Sequence, residues 1–74
     1  MLFRSPAERE LDGLIENMKI NLANNYKEPA HDCRRKLGER CDALYHEGKL
    51  REKKYRAYRQ VYEEYTEKLK DYHH

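Results

Sequence analysis

Cys33 and Cys41 are the side chains of this 74-residue chain with the most evident chemistry, as thiolate ligands or a redox pair. Their spacing argues against both uses. Eight residues along a helix span about 12 Å, too far for a disulfide or for two ligands of one zinc. Both fall on an apolar helical face, where cysteine packs as a small hydrophobe. Asp42 and His46 stand four apart and share a helix face, which gives a metal two points of attachment; two ligands do not make a site, and His31 does not converge with them. Ser5 is spaced to cap a helix, and Thr66 has no histidine or aspartate partner at an evident spacing. The expectation is a non-enzymatic chain with no catalytic residue, no cofactor and no metal site.

Two further groups could bind rather than react. The first is a basic run of Lys49, Arg51, Lys53, Lys54, Arg56 and Arg59, interleaved with Tyr55 and Tyr58. Cations could hold phosphates while tyrosines stack on bases, so a nucleic-acid surface is the alternative reading. The second is a stripe of Tyr55, Tyr58, Tyr62, Tyr65, Leu69 and Tyr72 at steps of three and four. That spacing places all six on one side of a helix, the pattern that packs against another helix. The hydroxyls suit a surface that is dry at its centre and wet at its edge. The stripe is therefore expected to serve helix packing or an interface, within the chain or between copies.

Helices must position these groups. Charged residues make up 41% of the chain against three glycines and two prolines, and helical periodicity runs almost throughout, so the class is all-α. Three helices are expected, at about 6–25, 29–47 and 51–72, in one domain covering 1–74. The first begins at Ser5-Pro6-Ala7-Glu8, a capping box with proline in the first turn. Its buried face reads Leu11, Leu14, Ile15, Met18, Leu22 and Tyr26, with Ile20 roughly 180° away. Asn24-Asn25 is its stop. Pro29 restarts the pattern, with Glu28 before it kept out of the α region. The second helix buries Ala30, Cys33, Leu37, Cys41 and Leu44, with Tyr45 at the margin. Gly38 inside it costs about 1 kcal/mol against alanine, unless a neighbouring helix needs the space. Gly48 is the left-handed residue that ends it. The third helix lacks a good cap and crowds cations at its positive end, so compensation is expected from Glu8, Glu10 and Asp12.

Short connections fold such helices into antiparallel neighbours, giving an up-down-up three-helix bundle. The same fold is expected to set Arg34, Arg35 and Lys36 beside Glu63 and Glu64. The third helix is expected to outreach the second, so that Leu69 and Tyr72 could meet a second copy. A core this small gains from self-association, so a homo-oligomer is expected, together with a protein partner the sequence does not name. A net charge of +2 is too small to imply nucleic acid by itself. No apolar run approaches membrane-spanning length, and no secretion signal is read at Met1–Pro6. Two cysteines without such a signal point to a reducing, cytoplasmic setting.

The connector Leu44-Tyr45-His46-Glu47-Gly48-Lys49-Leu50-Arg51-Glu52-Lys53-Lys54-Tyr55 resembles the helix–Gly–helix joint of SHOCT-type modules. With Ile20–Lys27, the chain is also similar to small uncharacterised bacterial helical proteins. The resemblance implies a helical hairpin and carries no assigned activity or functional residue.

Overall fold

A computed structural model describes residues 5–70. It is an all-α bundle of three helices, α1 (Pro6–Ala23), α2 (Lys27–His46) and α3 (Glu52–Leu69). The start of α1 is the expected capping box: the Glu8 backbone N–H donates to Ser5 Oγ, and the Ser5 N–H donates to the Glu8 carboxylate. Both later turns close in the same way. Asn25 takes φ 61° after α1 and Gly48 takes φ 76° after α2. The residue beyond each reaches back five positions, Tyr26 N–H to the Asn21 carbonyl and Lys49 N–H to the Leu44 carbonyl. These paired bonds satisfy carbonyls that a helix end otherwise leaves open.

Contacts across the helices fix their directions. Glu10 pairs with Arg40, and Asn21 lies beside Cys33, so α1 and α2 run antiparallel. Asp42 meets Tyr55 and Arg34 meets Thr66, so α2 and α3 are antiparallel too. α1 and α3 are therefore parallel, joined near their N-termini through Glu8–Lys54 and Asp12–Tyr58. α2 packs closely on both, whereas α1 and α3 approach each other weakly. The core between them comprises Ala7, Leu11, Met18, Ala30, Leu37, Cys41, Leu44, Leu50 and Tyr58.

Helix α2 begins at Lys27, two residues before the expected start, and Glu28 is helical. Pro29 is then the third helical residue, a position whose missing N–H has no intrahelical acceptor to lose. α1 ends at Ala23, not 25. Tyr26 is 58% exposed rather than buried, because the left-handed Asn25 swings the chain off the α1 repeat. Over the described residues α2 is longer than α3, and Leu69 is fully buried, so it does not protrude towards a second copy. Tyr72 and the His73-His74 tail lie outside the described residues, as do Met1–Arg4.

Candidate interaction surfaces

The described tyrosines of the α3 stripe pack inward, and the hydroxyls of Tyr55, Tyr58 and Tyr62 are hydrogen-bonded to the other helices. Tyr58 is the most buried of the described tyrosines; its hydroxyl donates to Asp12 Oδ1 at 2.7 Å and lies 3.5 Å from the Glu8 carbonyl. The long side chain thus spans the gap that α1 and α3 leave between them. Tyr55 is half-buried, stacks on the ring of Tyr45 at 4.2 Å, and donates to Asp42 Oδ1 at 2.8 Å. That bond to a carboxylate pushes the Tyr55 hydroxyl above its ordinary pKa.

Tyr62 lies against Gly38. A Cβ at residue 38 would stand 2.7 Å from Tyr62 Cε1, so only glycine admits the ring at this depth. Two arginines hold the ring there. Arg59 lies 4.6 Å and Arg34 5.4 Å from its centroid, within cation–π range. Arg34 Nη1 also donates to Tyr62 Oη at 3.3 Å and to Thr66 Oγ1 at 3.0 Å, while the Thr66 hydroxyl donates back to the Tyr62 carbonyl at 2.8 Å. Arg34 is expected beside Glu63 and Glu64 and is instead bound to neutral hydroxyls. It shares the inward face of α2 with Leu37 and Cys41, whereas both glutamates are exposed on α3. Glu63 is taken by Arg59 at 3.1 Å, and Arg35 by Asp32 at 3.0 Å. Tyr65 is half-buried under Lys68, whose Nζ is 5.2 Å from the ring centroid.

The basic run is largely neutralised in place. Lys49 pairs with Glu47, Lys54 with Glu8, Arg56 with Glu52, and Arg59 with both Asp42 and Glu63. Arg51 and Lys53 are exposed and have no ion-pair partner among the described residues. The Lys54–Glu8 pair joins the acidic first turn of α1 to the crowded start of α3, the compensation the sequence called for. Asp42, which shares a helix face with His46, holds Tyr55 and Arg59. That role was invisible along the sequence, because both partners lie on the next helix. Glu10 pairs with Arg40, whose guanidinium holds its carboxyl below the usual range.

The two cysteines differ. Cys41 is fully buried with its thiol 3.8 Å from the Tyr55 carbonyl, and burial pushes its pKa up to about 11. Cys33 is half-buried and accepts from Asn21. In the native protein a disulfide reagent at pH 8 is expected to label Cys33 and leave Cys41 protected until unfolding. Equal rates at both would contradict the burial. Because the folded thiol has the higher pKa, the unfolded chain loses its proton first. Stability from this group is complete below about pH 9 and falls as pH rises through about 11, which alkaline urea melts can follow.

Among the described residues no cluster of histidine, cysteine, aspartate or glutamate could hold a metal ion, and no helix is long and apolar enough to cross a membrane. No protein-family model, curated protein or solved structure matches the chain.

Proposed function

We propose that this chain is a non-enzymatic protein–protein interaction module that self-associates and docks, as an adaptor or inhibitor, on a larger protein. The observation that supports it is where the apolar surface goes. Among the described residues the tyrosine face of α3 packs against its own chain, yet Ile20 stays 52% and Tyr26 58% exposed near the α1–α2 turn. A protein partner that covers Ile20 and Tyr26 would take their apolar surface out of water, which favours association. Ile20 lies on the back of α1, away from Leu11 and Met18, so the rigid bundle presents it without opening the core.

The double substitution Ile20→Ser with Tyr26→Ser is expected to keep the unfolding midpoint, since exposed substitutions usually change stability by about 0.5 kcal/mol or less. It is expected to abolish recovery of the partner that the parent chain captures from its native host. Unchanged recovery of that partner would contradict the reading. The nucleic-acid reading is second, because most of the basic run is already paired. Binding to DNA or RNA at low salt that falls when Lys53, Lys54 and Arg56 become alanine would favour it instead.

A further inference from the structure

We propose that the outward face of α3 is a seam that joins two copies of this chain antiparallel. The inference rests on the interaction-module reading and names one of its surfaces and the partner for it. The seam lies opposite the tyrosines: at 100° per residue, Gln60 sits about 200° around the helix from buried Tyr58. Lys53, Arg56, Ala57, Gln60, Glu63, Glu64 and Glu67 share this side, and all are exposed. Their spacing is again of threes and fours, the repeat of a helix that meets another along its length.

Charge along this face is sorted about its own midpoint. Lys53 and Arg56 precede Gln60 by seven and four residues; Glu64 and Glu67 follow it by four and seven, with Glu63 beside them. Ala57 and Gln60 leave the centre small and uncharged. Reversing a second copy about Gln60 sets both cations of each chain against the glutamates of the other. A parallel copy would set like on like, and a partner of one sign would be repelled by half of the face. Self-complementarity under a two-fold rotation is the property that a symmetric dimer requires. α3 lies at the edge of the bundle with α2 behind its tyrosine face, so the outward side is open to a neighbour.

Pairs within the helix compete only weakly. Arg56 reaches Glu52 at 2.7 Å, but these side chains are 77% and 61% exposed. Gln60 donates to Glu64 at a long 3.5 Å; Glu63 is paired with Arg59 at 3.1 Å and Glu67 with Lys70 at 3.2 Å, but these glutamate side chains are 62% and 75% exposed. Lys53 has no ion-pair partner among the described residues. Surface pairs of this kind are screened over about 8 Å at physiological salt, so the dimer must be salt-sensitive.

Sedimentation equilibrium on the full chain tests this. The parent chain is expected to dimerise at low salt, with a dissociation constant at least about tenfold weaker in 0.5 M salt. K53E/R56E makes the seam wholly negative, and E63K/E64K/E67K makes it wholly positive. Each variant alone is expected to sediment as a monomer with unchanged helical circular dichroism, and an equal mixture is expected to restore a dimer. Should either charge reversal unfold the chain, K53Q/R56Q is expected to dimerise more weakly than the parent. A parent chain that is monomeric at low salt, or charge-reversed variants that each dimerise like the parent, would overturn the seam. Failure here with partner capture still dependent on Ile20 and Tyr26 leaves the docking part of the module reading standing. Loss of that dependence with the seam intact removes the docking part instead.

Discussion

Tyr58→Ala is expected to lower the unfolding free energy by about 3–5 kcal/mol, the range for deleting a buried aromatic. A domain of this length holds about 4–11 kcal/mol in total, so the variant should be close to unfolding at room temperature. The effect is large because one side chain does two jobs. Its ring fills the core where α1 and α3 do not approach closely, and its hydroxyl reaches Asp12 on α1. Tyr58→Phe separates the two. It keeps the ring and is expected to cost about 1.5–3 kcal/mol, the value of a hydrogen bond to a charged group. Urea melts followed by far-ultraviolet circular dichroism measure both. Tyr58→Ala costing less than Tyr58→Phe is expected to cost would show that the ring does not bridge the helices.

Gly38→Leu is expected to destabilise the bundle by about 1–3 kcal/mol, as overpacked cores do. Gly38→Ala is the sharper comparison, because two effects oppose each other. Alanine improves helix propensity by about 1 kcal/mol. Against that, its Cβ would press on the Tyr62 ring, which Arg34 and Arg59 hold in place. The ring cannot give way without loosening both arginines, so the net change is expected to be destabilising. In a Tyr62→Ala background the obstacle is gone, and Gly38→Ala is expected to stabilise by about 1 kcal/mol. The reversal of sign across the cycle isolates the contact between the two residues. Gly38→Ala that stabilises the parent chain would mean that Tyr62 does not rest on α2.

What could be read from the sequence was mostly local. Ser5 and Glu8 lie within one turn, and the stops at Asn25 and Gly48 depend on a single backbone conformation, so nearest neighbours suffice to place them. The all-α class and the inward side of each helix followed from spacing alone. Tyr26 was misread because periodicity carries no warning that a left-handed residue has intervened. Pro29 does lie in the first turn of α2, but Glu28 was misread, because proline is accepted throughout that turn and the sequence does not say at which position in it. Arg34 was misread because matching blocks of charge ignores helical phase: it shares the inward side of α2 with Leu37, while Glu63 and Glu64 lie on the exposed side of α3. The bonds from Asp42 to Tyr55 and Arg59 join two helices, and they rest on the packing of α3 against α2 rather than on neighbours along the chain. Charge order on the outward side of α3 was present in the sequence from the start. It matters because the tyrosines face the other way and leave that side open.

The bundle depends on α3 closing its aromatic side against its own chain. An isotope-filtered nuclear Overhauser experiment on a mixture of labelled and unlabelled protein tests this directly. Contacts between the Tyr62 ring protons and the Gly38 α-protons should be strong, intramolecular and independent of concentration, with the Gly38 signals displaced upfield by the ring. Absence of those contacts, or their appearance only between labelled and unlabelled copies, would contradict it.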